Sequence, residues 1–235
     1  NGLGLARRAR GLREAGLHRV NISLDALDRE AYTRIARRDR LDDVLAAIDA
    51  CVEAGLEPVK INTVLMRGVN EDEALPLTRY CVERGLRLRF IEQMPLGPHE
   101  AWDRSQIVTA AEIRGILAQE FDLSPVRRDD PSAPASRWIL TPHRGGRSGE
   151  VGIIASVSEP FCGACDRTRL TADGQMRTCL FSRSETDLRG PLRAGASDRE
   201  LAEIWAGAMW NKKAGHDIDD PRFIQPDRGM SAIGG

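Results

Sequence analysis

A unit that occurs three times in the first hundred residues constrains the fold more than any other feature. In each copy a charged helix ends at a glycine, and a short apolar strand follows at once. The copies lie at 12–26, 51–65 and 81–95, with their glycines at Gly16, Gly55 and Gly85. Glycine readily takes the left-handed conformation that ends a helix. Helices and strands in alternation predict parallel βα units, arranged as a barrel or as a doubly wound sheet.

The two faces of these strands differ in polarity. Asn21 and Ser23 alternate with apolar residues in the strand 20–25, and Lys60 and Arg89 hold similar positions in the next two strands. A strand that helices cover on both faces is apolar on both. The alternation therefore favours a barrel or half-barrel with a polar interior.

Two interpretations of Lys60 and Arg89 remain open. Either the two cations bind an anionic ligand in the polar interior, or they form ion pairs there with Asp25 and Glu92. Both arrangements satisfy a partly buried cation, since a carboxylate of the protein and a phosphate of a ligand accept the same hydrogen bonds. The sequence favours neither.

Five helices can be placed from their patterns and caps. They are expected at about 28–37, 41–54, 71–84, 109–120 and 197–212. Asn70 is the expected N-cap of the third, and capping boxes begin the last two at Thr109 and Ser197. The last helix has an apolar stripe interpreted as core. The stripe consists of Leu201, Ile204, Trp205, Ala208 and Met209.

The loop-like stretch 127–136 is the best domain boundary in the sequence. It separates a βα part, residues 1–126, from a C-terminal α+β region, residues 127–235. Short strands are expected in the second part at 137–141 and 150–157. The last twenty residues show no periodicity and are expected to form an extended tail.

Three cysteines in the second part form a C-x2-C-x13-C pattern without a fourth. They are Cys162, Cys165 and Cys179. Asp173 and Gly174 predict a two-residue hairpin turn, which would place Thr168 opposite Cys179. Three thiolates leave one coordination position of a metal centre open, and substrate chemistry takes place at such a position.

This cysteine site has four interpretations: structural zinc completed by His99 or His143, a thioredoxin-like redox pair, unrelated core thiols, or an iron–sulfur cluster. A [4Fe–4S] cluster with one open iron fits best, because thiolates are its usual ligands. Arg167 and Arg169 share a strand face just after Cys165. They either lie in solvent or bind a phosphate beside the site.

Composition excludes several classes of function. The 34 Lys and Arg residues balance 35 Asp and Glu residues, so no basic field indicates a nucleic-acid partner. No apolar run is long enough for a membrane span, and there is no signal-peptide pattern. Five cysteines without a secretory signal favour reduced thiols in the cytoplasm. Cys51 and Cys81 lie in helical patterns and are interpreted as core.

Five stretches together resemble the GTP 3′,8-cyclase family of radical S-adenosylmethionine enzymes, which catalyse the first step of molybdenum cofactor synthesis. The stretches are NISLDALD (21–28), VKINTVLMRGVNEDE (59–73), RFIEQMPLG (89–97), FCGACDRTRLTADGQMRTCLF (161–181) and the terminal Gly234-Gly235. The resemblance implies a partial, TIM-like (βα) barrel followed by an α+β region with an iron–sulfur hairpin. It also implies two [4Fe–4S] clusters with S-adenosylmethionine, and is compatible with a homodimer.

The implied reaction begins with a deoxyadenosyl radical, which abstracts the 3′ hydrogen of GTP. The ribose carbon then attacks C8 of the guanine, and the 3′,8-cyclo-7,8-dihydro-GTP formed passes to the cyclic pyranopterin monophosphate synthase. The resemblance also assigns the site residues. It implies that Cys162, Cys165 and Cys179 hold the cluster beside the substrate, and that Ser23 and Met94 contact S-adenosylmethionine. It further implies that GTP is bound by Lys60, Arg89, Arg167, Thr168 and Arg169, and that Gly234 and Gly235 reach into the active site.

One family motif does not occur in these residues, namely the C-x3-C-x2-C that binds the radical-generating cluster. The chain is therefore expected to hold the substrate-side cluster and GTP without turning over, and the strand 20–25 to be an uncovered sheet edge. Two alternatives stay open. One is a non-catalytic module in which zinc binds the three cysteines and a histidine, and the other is a related radical enzyme with a different substrate.

Overall fold

The computed structural model describes residues 1–96, 103–220 and 222–233, apart from the side chain of Ser231. The chain divides into two compact units. Unit 1 consists of Asn1–Gln93 and Ser105–Glu159, and unit 2 of Met94–Arg104 and Pro160–Gly235. Among the helices in the described ranges, none has both the length and the apolar composition that a membrane crossing requires.

Unit 1 contains a six-stranded mixed sheet. Its strands are β1 (Val20–Ser23), β2 (Val59–Leu65), β3 (Arg87–Glu92), β4 (Phe121–Val126), β5 (Ser136–Pro142) and β6 (Gly149–Ile154). They are arranged in the order β1-β2-β3-β6-β5-β4. The first four in this order are parallel, whereas β5 and β4 are each antiparallel to their neighbours. The predicted parallel βα units are thus present, and closure into a barrel stays a prediction.

Five helices accompany this sheet. They are α1 (Ala9–Glu14), α2 (Arg29–Ala36), α3 (Leu41–Glu53), α4 (Ala74–Arg84) and α5 (Ala110–Leu117). Alternate strand residues such as Ile61 and Phe90 are fully buried and belong to the same core as Ile48 and Leu77 of the helices. The three repeat glycines have positive φ angles of 96°, 71° and 69°, as their position after a helix predicts.

Asn70 does not cap the helix that follows it. This helix begins with a short 3-10 turn, and the Asn70 side chain makes no capping bond. Instead, its amide nitrogen donates to the carbonyl oxygens of Asp25 (2.7 Å) and Val64 (3.0 Å), and its oxygen accepts from the Met66 amide (2.8 Å). The N-cap prediction was wrong because partly buried backbone groups at the ends of β1 and β2 need these partners.

Unit 2 contains a small antiparallel sheet in the order β7-β8-β9, and two helices. The elements are β7 (Arg169–Leu170), β8 (Gln175–Arg177), β9 (Thr186–Asp187), α6 (Arg189–Arg193) and α7 (Asp198–Trp210). A 3-10 turn, Met230–Ala232, is the only regular element that the structure describes after α7.

The hairpin register differs by one residue from the prediction. Arg169 pairs with Arg177, and the amide of Gly174 donates to the carbonyl of Thr171 (2.9 Å), so the loop has three residues instead of two. Gly174 has a φ of 79°, typical of such loops. Extended by this register, Thr168 faces position 178, so its predicted pairing with Cys179 was wrong.

Helix α7 does not bury its apolar stripe. None of its residues is fully buried, and Trp205 is 37% and Trp210 90% exposed. The core interpretation of the stripe was therefore wrong for the described chain. The capping box at Ser197 is present as predicted, as is the one at Thr109.

The two compact units do not follow the predicted division at residue 126. β5 and β6 continue the sheet that begins with β1, and β6 pairs directly with β3. The loop-like stretch 127–136 therefore lies inside unit 1, where it connects two antiparallel strands. A long irregular loop was mistaken for a boundary because the sequence does not show which strands pair across it.

Candidate functional site

A cleft of about 460 Å³ lies on the polar side of the sheet in unit 1. Lys60 of β2 lines it together with Arg87 and Arg89 of β3, and the Cα of Lys60 is paired in register with that of Arg87. A Cβ on Gly152 of β6 would come within 3.3 Å of the Arg89 Cγ. The glycine therefore leaves room for the Arg89 side chain, as a larger residue could not.

The carboxylates of the cleft already have partners. Arg137 lies 3.7 Å from Asp129 and 3.6 Å from Glu150, and Asp130 accepts from the amide and hydroxyl of Ser132. Asp130 is thereby stabilised as an anion, which lowers its pKa. No carboxylate of the described cleft is bonded to Lys60, Arg87 or Arg89.

These three cations make no hydrogen bond or ion pair within the described ranges. Burial lowers the pKa of Lys60, and the neighbouring charges of Arg89 and Arg87 lower it further. Burial and the charge of Arg87 likewise lower the pKa of Arg89, with Glu150 partly opposing both shifts. Like charges held together in a partly dry cleft stabilise an anion placed between them.

Asp25 and Glu92, the ion-pair partners that the second interpretation requires, are engaged elsewhere. Asp25 accepts from the Val64 amide at 2.8 Å, and burial raises its pKa. Glu92 is 1% exposed and accepts at 2.8 Å from the amides of Ala110, Val157 and Ser158. The ion-pair interpretation of Lys60 and Arg89 was therefore wrong, and the anion-binding interpretation remains.

The cysteine site lies in unit 2. Cys162 and Cys165 flank a 3-10 turn, in which the amide of Cys165 donates to the carbonyl of Cys162 (3.1 Å), and Cys179 lies two residues after β8. All three are free and half-buried. Burial raises the pKa of Cys162, and so do the nearby thiols of Cys179 and Cys165. The charges of Cys179 and Cys165 thus influence Cys162, and convergence of the three thiols on one metal centre stays a prediction.

Lys212, just beyond α7, contacts this site and was missed in the sequence. Its Nζ lies 3.3 Å from the Sγ of Cys165 and donates to the carbonyl of Arg167 at 2.7 Å. Burial works to raise the pKa of Cys165, but hydrogen bonds from Arg167 and Lys212 outweigh it and lower the pKa. The thiolate, which is the metal-binding form, is thereby favoured. No local pattern links a lysine to a cysteine 47 residues earlier.

Zinc and a [4Fe–4S] cluster place different demands on the three cysteines. In the described ranges, no three His, Cys, Asp or Glu side chains are placed to hold one metal ion. Zinc requires its ligands to converge on one point, whereas each thiolate of a [4Fe–4S] cluster binds an iron of its own. His143 is in unit 1, 3.4 Å from Asp122, and His99 lies outside the described residues. By ligand type the three thiolates suit a [4Fe–4S] cluster, and the cluster at this site stays a prediction.

The predicted GTP contacts of unit 2 follow Cys165 directly. The Arg167 guanidinium lies over the Phe161 ring, 4.6 Å from its centre, and Thr168 and Arg169 are half-buried. Burial and the charge of Arg167 lower the pKa of Arg169. As in the cleft of unit 1, two arginines are held close together.

The predicted site also includes the S-adenosylmethionine contacts and the two terminal glycines. Ser23 is exposed at the carboxyl end of β1, and Met94 is half-buried two residues after β3, in unit 2. Gly234 and Gly235 lie outside the described residues.

Comparison with known proteins decides the family. The model of the family described as Molybdenum Cofactor Synthesis C matches residues 86–218, and that of the Radical SAM superfamily matches residues 1–81. GTP 3′,8-cyclases of Corynebacterium glutamicum, Mycolicibacterium smegmatis and Streptomyces coelicolor are 61%, 56% and 55% identical to the chain over its whole length. The chain belongs to the GTP 3′,8-cyclase family.

The chain spans 63%, 65% and 68% of the lengths of these three relatives. In this member of the GTP 3′,8-cyclase family the first match ends within α4, at residue 81, and the second begins at residue 86, just before β3. β3, β4, β5 and β6 therefore belong to the second match although they share a sheet with β1 and β2. The family boundary thus falls inside one compact unit.

Proposed function

We propose that this chain is the substrate-binding part of a radical S-adenosylmethionine enzyme that converts GTP to 3′,8-cyclo-7,8-dihydro-GTP. The reaction is the first step of molybdenum cofactor synthesis, and its product passes to the cyclic pyranopterin monophosphate synthase. Membership of the GTP 3′,8-cyclase family supports the proposal. Within the structure it is carried by three cations of the cleft, Lys60, Arg87 and Arg89, which have no partner among the described residues.

A triphosphate is negatively charged and therefore complements the three cations of this cleft. Its oxygens accept paired hydrogen bonds from guanidinium groups and single ones from an ammonium group. Binding would replace repulsion among the three cations by attraction to one anion. Lys60 and Arg89 are thus proposed to bind phosphate oxygens of GTP, as the resemblance implied.

In unit 2, Cys162, Cys165 and Cys179 are proposed to hold a [4Fe–4S] cluster. When bound, the clusters and S-adenosylmethionine supply the radical and an open iron for the guanine base. Lys212 donates to the Sγ of Cys165, which favours its thiolate, and to the carbonyl of Arg167. Ser23 and Met94 are proposed to contact S-adenosylmethionine, and Thr168 and Arg169 to contact GTP.

GTP binding to this chain tests the cleft. In equilibrium dialysis, we expect Lys60→Met and Arg89→Met each to weaken GTP binding roughly tenfold or more, because each removes a charge-assisted hydrogen bond. Guanosine, which lacks phosphates, should lose little affinity through the same changes. The control is Arg79→Met, because Arg79 lies on α4 and pairs with Glu120 at 3.6 Å. Equal GTP affinity in all three variants would contradict the proposed phosphate contacts.

Metal content tests the cysteine site independently. Protein purified without oxygen should contain iron and acid-labile sulfide, and serine at Cys162, Cys165 or Cys179 should abolish both, whereas Cys51→Ala should not. One zinc per chain would support the non-catalytic module. We further propose that the chain alone, given GTP, S-adenosylmethionine and reductant, forms no cyclised product; detection of that product would refute this.

A further inference from the structure

One arginine near the end of the chain bridges two carboxylates that lie far from it in sequence. The Arg228 Nη1 and Nη2 donate to the two carboxylate oxygens of Asp173, at 3.1 and 2.8 Å. The same Nη2 donates to Glu185 at 3.0 Å, and the Arg228 Nε lies 2.9 Å from the other Glu185 oxygen. The guanidinium thus uses three nitrogens on two partners, which a single ammonium group could not reproduce.

Both carboxylates belong to the β-sheet of unit 2. Asp173 lies in the loop between β7 and β8, and Glu185 directly precedes β9. Arg177 of β8, whose side chain is 2% exposed, also pairs with Glu185, at 3.1 Å. Cys179 follows Arg177 by two residues. The charge network of Arg177, Glu185, Arg228 and Asp173 therefore joins the tail to both ends of β8, and Cys179 lies in the connection from β8 to β9.

The network alternates in charge and is balanced. Two guanidinium groups face two carboxylates, and Glu185 is shared by both arginines. The hydrogen bonds from Arg228 and Thr171 hold the pKa of Asp173 well below its usual range, and the pKa of Arg228 is raised in turn. Without Arg228, Asp173 would have no cationic partner in the described ranges.

We infer that Arg228 is a positioning residue that fastens the C-terminal tail, residues 222–233, to the cysteine-bearing hairpin. The tail has no strand or α-helix that could hold it through backbone pairing. A bidentate contact to the hairpin loop fixes one point of the tail seven residues before the chain ends. The anchor stands on these contacts alone, and only a role for the tail in the reaction would rest on the proposed function.

Hydrogen exchange of the tail amides in the chain itself tests the anchor. Arg228→Met should speed exchange across residues 223–233 at least about fivefold, the size expected for the loss of several partly exposed ion pairs. Asp173→Asn should have a similar but smaller effect, because Glu185 remains and Asn-Gly still favours the turn. Arg228→Lys should restore protection only in part. Added salt should speed exchange in the unaltered chain but not in Arg228→Met.

Arg222→Met is the matched control. Arg222 lies in the same tail, but the structure pairs it only with Asp220, two residues earlier. Arg222→Met should leave the protection of the tail amides unchanged. The β2 and β3 amides should keep their protection in every variant, which would show that each variant folds. Unchanged tail protection in Arg228→Met, an equal loss in Arg222→Met, or salt-independent exchange would overturn the inference. The experiment needs neither GTP nor a metal, so its outcome is separate from that of the proposed function.

Discussion

Two ionisable side chains of α4 have pKa values far above their usual ones. The pKa of the Cys81 thiol and that of the Tyr80 phenol are both raised to about 12, in each case mainly by burial. Unfolding exposes both groups, which then lose their protons near pH 9 and 10. Between these values and pH 12 the folded state binds more protons than the unfolded state. Stability contributed by the neutral forms is complete below about pH 9 and is lost as the pH rises.

We therefore expect the free energy of unfolding to fall between pH 9 and 12 more steeply than in the double variant Tyr80→Phe, Cys81→Ala. Neither replacement titrates, so the variant lacks this part of the slope. Urea denaturation at a series of pH values measures it. Parallel pH profiles for the two proteins would show that burial of these groups does not govern alkaline stability.

At the scale of elements, Asn70 joins the ends of two strands and the turn after them. It is 3% exposed and makes three hydrogen bonds to backbone groups of Asp25, Val64 and Met66. Asn70→Ala should lower the free energy of unfolding by about 3 kcal/mol, because three partly buried backbone groups lose their partner. Asn211→Ala removes one exposed bond at the end of α7 and should cost less than about 0.5 kcal/mol. Similar losses in both variants by urea denaturation would contradict this account.

Signals confined to a few neighbouring residues predicted their elements well. The capping boxes at Thr109 and Ser197 depend on side chains three residues apart, and both helices begin where these boxes place them. The hairpin was also found, but its register was not. Asp-Gly suits a two-residue loop, and only the backbone shows that Thr171 and Gln175 close a three-residue loop around Gly174.

Contacts between distant residues could not be predicted. Arg228 and Asp173 are 55 positions apart, and neither lies in a motif that indicates the other. The apolar stripe of α7 has the periodicity of a buried helix, but periodicity does not show what covers it. Lys60 and Arg89 were placed on the polar face correctly, because alternation along a strand is a local signal. That neither has a partner in the described ranges could be seen only in the folded sheet.

At the scale of the whole molecule, the sheet of unit 1 has two unequal edges. On β4 the exposed residues include Asp122 and Pro125, which discourage pairing with another chain. β1 lies at the other edge, and no strand in the described ranges pairs with its outer side. It carries no charge and no proline. Strand addition at β1 is therefore the expected route of self-association.

Asn21→Lys places a charge in this edge strand and should reduce concentration-dependent association in sedimentation velocity. Ser124→Lys adds the same charge to β4 and should leave association unchanged. If the two variants associate alike, the contact between copies does not involve β1.

The cationic cleft of unit 1 also affects the stability of the protein when no ligand is bound. Lys60, Arg87 and Arg89 repel one another, so an empty cleft subtracts from the stability of the sheet that carries it. Any polyanion that neutralises them adds to stability by mass action, with the logarithm of its free concentration once that exceeds its Kd. On the proposed function that polyanion is GTP, so abundant GTP would preserve the protein in the cell, and scarcity of GTP would expose it to proteolysis.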